Sequence, residues 1–211
     1  MNEFNPERWT QLWRMTTGQI PPLKYFWQLA TMYSEPHRHY HNERHIADCL
    51  TEFDSARDAT AGTPAIELAI WFHDAIYEPH AADNEELSAQ LAAEWIKKFG
   101  GKPALADSVQ NLVLATKTHE SSNKDAALLL DVDLSILGRP PERFDEYEWQ
   151  IREEYFWVEQ SVFDAKRAEI LRQFLGRDRI YQTEHFFQRL ESQARLNLQA
   201  SVEKLTKGST V

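Results

Sequence analysis

Cysteine, glycine and runs of basic residues are what this chain has least of. Its 211 residues include one cysteine, Cys49, so no internal disulfide can form and a disulfide-stapled scaffold is excluded. Seven glycines and few period-two runs of Val, Ile and Thr leave little material for a sheet-rich fold. No apolar run approaches the roughly 20 residues that cross a bilayer, so no membrane partner is expected. The opening MNEFNPERW has neither the basic start nor the apolar run of a signal peptide, and a cytoplasmic location is the expectation. Against 33 acidic residues stand 23 Lys and Arg, a formal charge of −10, and no stripe of basic residues interleaved with aromatics is present. Nucleic acid is therefore not the expected main partner. On so acidic a chain a phosphorylated ligand needs positive charge supplied locally, which a bound cation does.

What the chain has in quantity is Ala, Leu, Glu, Gln and Arg, the residues that lose least on entering a helix. Prolines punctuate rather than interrupt: Asn5-Pro6, Pro21-Pro22, Thr63-Pro64 and Pro140-Pro141 open helices. The pattern predicts helices near 6–15, 22–35, 42–58, 64–77, 84–99, 104–119, 124–137, 141–158, 161–176 and 183–207, with Lys207 to Val211 frayed. Apolar stripes recur at helical spacing, among them Ile46, Cys49, Leu50 and Phe53, then Ile66, Ala69, Ile70 and Ile76. With 42% hydrophobic residues and no linker, the reading is an all-α, single-domain helical bundle. Its C-terminal helices, about 141–207, are expected to close over the core, and the seven tryptophans to serve packing.

Residues with metal-ligand chemistry fall on the apolar stripes. His73 lies three residues after Ile70, and Asp133 three after Leu130 in a run that is otherwise apolar. A buried carboxylate requires a cation, a proton or a metal ion, and no basic residue lies on that helix between Lys124 and Arg139. His45, His73 and Asp74 have the chemistry to share a cation with it. Asp131 is the competing carboxylate, about 160° around the helix, and Asp133 is preferred because it shares the deeper stripe. His41 and His45 stand four apart, so that one can ligate while the other moves a proton.

These residues also carry a resemblance. His45, His73-Asp74 and Asp133 resemble the H…HD…D signature of the HD superfamily of metal-dependent phosphohydrolases. YHNERHIAD is similar to the YHNxxHAxD motif of cyclic-nucleotide phosphodiesterases, and RHYHNERH, WFHDAIY, DNEELSA, DVDLSILG and IREEY, in that order, resemble blocks of a bacterial group of predicted HD phosphohydrolases. The resemblance implies an HD-type helical domain whose site region spans about 36–138. It also implies one divalent metal ion (Mn, Fe, Zn, Co, Ni or Mg) held by His45, His73, Asp74 and Asp133. His41 matches the histidine that protonates the leaving oxygen. Two-metal relatives carry a further histidine where this chain has Tyr77, so a single cation is expected.

The expected reaction is hydrolysis of a nucleotide or other small phosphate ester by a metal-activated water. Asp74 orients that water, His41 acts as acid, and Arg152, Lys117 or His119 grip the substrate. Glu78, Glu85 and Glu86 are candidates for orienting water, although an acidic first helical turn accounts for at least two of them. His37, His39 and His80 are assigned to loops. A nucleotide or metal sensor without turnover is the rival reading, and a di-iron oxygenase a more distant one. Nothing in the sequence indicates the oligomeric state.

Overall fold

The structure is a computed structural model that describes residues 3–56, 64–120 and 122–207. It is all-helical, with no strand among the described residues. Among the described residues ten α-helices follow one another: α1 Pro6–Thr17, α2 Lys24–Tyr33, α3 Glu43–Ala56, α4 Pro64–Phe72, α5 Asn84–Lys98, α6 Pro103–Ala115, α7 Lys124–Asp133, α8 Pro141–Glu154, α9 Gln160–Leu175 and α10 Glu184–Lys207. A 3-10 helix, Leu134–Gly138, follows α7 directly. The chain clusters into two compact units, Met1–Val132 and Asp133–Val211, so the division falls one residue before the end of α7.

The first unit is organised around α4. Every residue from Ala65 to Phe72 is buried, because this helix packs against α1, α3, α5 and α6 and has no solvent face. Each large apolar side chain buried here contributes about 1.5–3 kcal/mol, and α4 supplies Ile66, Leu68, Ile70, Trp71 and Phe72. Around it stands an aromatic cluster: Trp9 packs on Trp71, Phe72 and Trp95 with ring centroids 5.4, 6.0 and 6.3 Å away. One carboxylate of α4, Glu67, is also buried, and Arg8 of α1 answers it. The Arg8 Nε lies 2.7 Å from Glu67, while its terminal nitrogens donate to Asp54 of α3 and to Glu3.

Local chemistry sets the helix ends. The Asn5 side chain accepts from the Arg8 N–H, with Pro6 at the first helical position, and Gly18 closes α1 at a φ of 75°. Asn123 caps α7 by accepting from the N–H groups of Asp125 and Ala126. Four helices end four or more residues earlier than the apolar pattern suggests. α4 stops at Phe72 rather than 77, α6 at Ala115 rather than 119, α7 tightens into the 3-10 helix at Leu134, and α8 stops at Glu154 rather than 158. The expected fraying at the C-terminus and the end of the helix over 42–58 lie partly outside the described residues.

In the second unit α10 packs along α9 and the 3-10 helix. Asn197 of α10 donates to the carbonyls of Leu137 and Arg139, and the Tyr181 hydroxyl donates to the carbonyl of Leu134. Gly138 permits this approach, since a Cβ there would lie 2.6 Å from the Leu190 Cβ. Four tryptophans (Trp9, Trp13, Trp71, Trp95) are buried as expected of packing residues, whereas Trp27, Trp149 and Trp157 are exposed.

Candidate metal centre

The site is built from two turns of the first unit that face each other. One precedes α3. There Asn42 opens the helix, its side-chain oxygen accepting from the Arg44 N–H and its amide donating to the His39 carbonyl. This places His45 in the first turn of α3, with its ring 4.7 Å from that of buried Tyr40. The other is the turn that ends α4. The His73 N–H still bonds the Ala69 carbonyl, and the chain then leaves the helix, so Asp74 projects from a turn and not from a helical face.

The two turns are joined by Arg38, whose side chain is 1% exposed. Its guanidinium donates to the carbonyls of His41, Asp74 and Ala75 at 3.0, 2.6 and 3.0 Å, and lies over the rings of Tyr33 and Tyr77. A planar fork with five N–H donors suits this task, which a lysine could not perform. Arg38 lies in the RHYHNERH block, where nothing local in the sequence signals the distant carbonyls it binds.

Three ligand atoms meet between the turns. His45 Nε2 and His73 Nε2 are 3.1 Å apart, and Asp74 Oδ2 lies 3.4 Å from the first and 3.1 Å from the second. A cation about 2.1 Å from each ligand implies edges of about 3.0 Å in an octahedron and about 3.4 Å in a tetrahedron. The observed triangle has edges of that size, so the residues present fit a divalent ion. The His73 Nδ1 lies 3.0 Å from the Ile70 carbonyl and donates to it, which leaves the Nε2 lone pair directed at the triangle. Burial alone would raise the Asp74 carboxyl. The opposing pull of His73, His45 and, further off, His41 holds it well below the usual carboxylate range.

His45, Cys49 and His73 each offer one ligand atom within 4.8 Å of the others, and Asp133, the last residue of α7, belongs to the second unit. The burial rationale for preferring Asp133 is corrected: Asp131 is fully buried and Asp133 only half-buried. Cys49 was missed as a member of the group. Its spacing of four from His45 on α3 was the available signal, and it had been read only as part of the apolar stripe.

The other site candidates are placed as follows. His41 is half-buried in the turn before α3, not on the helix; its ring stacks on Tyr77 at 4.3 Å and lies 6.0 Å from that of His45. Lys117 donates to the Ala82 carbonyl and pairs with Glu86, tying the end of α6 to the start of α5. His119 lies beyond α6 with a φ of 52°, in the left-handed region, and so is off the helical stripe that suggested it. Arg152, in the second unit, donates to Gln160 and to the carbonyls of Tyr155 and Val158 and covers the Phe163 ring, so its donors close the end of α8. Glu78 pairs with exposed His80, and Glu86 with Lys117. His37 and His39 lie in the loop before α3, as expected, and are half-buried, and the His37 Nε2 lies 2.8 Å from the Tyr77 carbonyl.

No family profile, no curated protein and no solved structure matches this chain. No described helix is long and apolar enough to cross a membrane.

Proposed function

We propose that this chain is a metal-dependent phosphohydrolase of the HD type, acting on a nucleotide or another small phosphate ester. The observation that carries the reading is the convergence of His45 Nε2, His73 Nε2 and Asp74 Oδ2 within 3.1–3.4 Å at the end of a helix buried from Ala65 to Phe72. These three side chains would hold one divalent ion. When bound, such an ion lowers the pKa of a coordinated water and offsets charge on a phosphoryl oxygen.

The chain's own groups supply the rest. Asp74 keeps one carboxylate oxygen on the imidazole pair, which leaves its second oxygen to orient the attacking water. Arg38 fixes the turn that bears Asp74 through the carbonyls of Asp74 and Ala75. His41, held by its stack on Tyr77, is the group positioned beside the centre to pass a proton to the departing oxygen. Lys117 and Arg152 have no part in this mechanism, since their donors are engaged within the chain.

The test is metal analysis of protein purified without chelators, followed by a screen of nucleotides and phosphate esters with each cation restored. About one equivalent of metal and turnover that disappears in His73→Ala and Asp74→Ala are expected. Full turnover in either variant, with metal retained, overturns the reading. Tight nucleotide binding without turnover selects the sensor alternative.

A further inference from the structure

The His45 and His73 imidazoles belong to two donor sets. The Asp74 carboxylate lies against both rings, and the thiol of Cys49 falls within 4.8 Å of a ligand nitrogen of each. We propose that Cys49 is a ligand of the cation, so that the centre contains sulfur and takes a thiophilic ion such as Zn2+, Co2+ or Fe2+ in preference to Mg2+. This rests on the metal-centre reading above and specifies its donors.

Cys49 lies one turn after His45 on α3 and is 2% exposed. Its Sγ is 3.7 Å from the His45 Nδ1 and 3.8 Å from the Nε2. For a tetrahedral ion, a metal–sulfur bond of about 2.3 Å and a metal–nitrogen bond of about 2.1 Å imply a sulfur–nitrogen edge of about 3.6 Å. The distance from the thiol to the His45 Nε2 is within a few tenths of an ångström of that edge. Its contact with the Val132 carbonyl is at 4.0 Å, so no close hydrogen bond holds it elsewhere. A buried cysteine among Ile46, Leu50 and Phe53 could serve as a small hydrophobe. Cys49 differs from its neighbours on that stripe in facing an imidazole whose Nε2 is 3.1 Å from a second imidazole nitrogen. Ligation exchanges the S–H bond for a sulfur–metal bond, and the proton leaves to solvent. Donor softness then decides the ion: thiolate and imidazole favour zinc-like cations, whereas Mg2+ requires oxygen.

The chain has one cysteine, so any thiolate–metal signal must come from Cys49. The full-length protein is stripped with a chelator, reconstituted with Co2+ and examined by absorption spectroscopy. Visible ligand-field bands report binding, and a near-ultraviolet thiolate-to-cobalt charge-transfer band is expected in the wild type. In Cys49→Ala and Cys49→Ser the visible bands should persist while the near-ultraviolet band disappears, with Zn2+ affinity lowered at least about tenfold. Visible bands without the charge-transfer band in the wild type overturn the proposal and leave the metal centre standing. A wild-type protein that binds no Co2+ overturns both. The wild-type spectrum decides even if the variants do not fold.

Discussion

The Nδ1 atom of His73 lies 3.0 Å from the carbonyl oxygen of Ile70, one turn earlier along α4. That single hydrogen bond selects the tautomer in which Nε2 carries a lone pair, and it does so with a carbonyl the helix end would otherwise leave unsatisfied.

Removing the His73 ring should therefore cost more than the roughly 10- to 100-fold in metal affinity typical of an outer-shell change. His73→Ala is expected to retain well under one equivalent after dialysis, with helical content unchanged. Competition against a chromophoric chelator, with circular dichroism alongside, measures both. Wild-type affinity in the variant would show that the cation is held elsewhere.

Arg38 should influence the centre without touching it. Arg38→Lys keeps the charge but cannot reach the carbonyls of His41, Asp74 and Ala75 together, leaving buried acceptors unpaired at about 1–3 kcal/mol each. Lower stability to urea and weaker metal binding are expected together. If stability falls while metal affinity holds, Arg38 serves the fold alone.

Acid should act on the metal-free protein through Asp74. Its carboxyl titrates below the usual range in the folded chain, so the ionised form contributes stability that is fully present above the unfolded value near 4. That contribution is lost as pH falls through the lower folded value. Asp74→Asn has no such group, and its urea midpoint should decline less steeply below about pH 4 than the wild type does. Parallel acid limbs, measured with chelator present, would count against the assignment.

Arg8 and Glu67 form a pair with side chains 12% and 7% exposed. Glu67→Leu alone should cost about 3–5 kcal/mol by stranding the guanidinium, less whatever Glu3 and Asp54 recover. The double variant Arg8→Met/Glu67→Leu should be closer to wild type than the sum of its parts. Additive losses in a double-mutant cycle would mean that the pair is not coupled.

All ten helices were legible in the sequence, because proline and asparagine at the starts and the 3.6-residue apolar period are local signals. The ends of α4, α6, α7 and α8 were not. The stripe through Ile66, Ala69 and Ile70 extends in sequence to Ile76, yet the chain turns after Phe72, where His73 and Asp74 find partners far along the sequence in His45 and Arg38. Tertiary bonds ended a helix that periodicity alone would continue. The same limit applies to the site. His45, His73 and Asp74 stood out as ligand-type residues near apolar stripes, and the structure brings their side chains together. Cys49 did not stand out, since a thiol on such a stripe looks like any small apolar residue. Lys117 and Arg152 looked available because charge is visible in a sequence, whereas the carbonyls that occupy them are not.

α4 has one more consequence. The imidazole pair sits where this helix ends, at the negative pole of its peptide dipoles, in a chain with a formal charge of −10. That field draws cations inward and turns phosphate away. Under the proposed function a phosphate ester is expected to bind only after a cation has reversed the local sign, so that removing the ion with a chelator should abolish substrate binding as well as turnover.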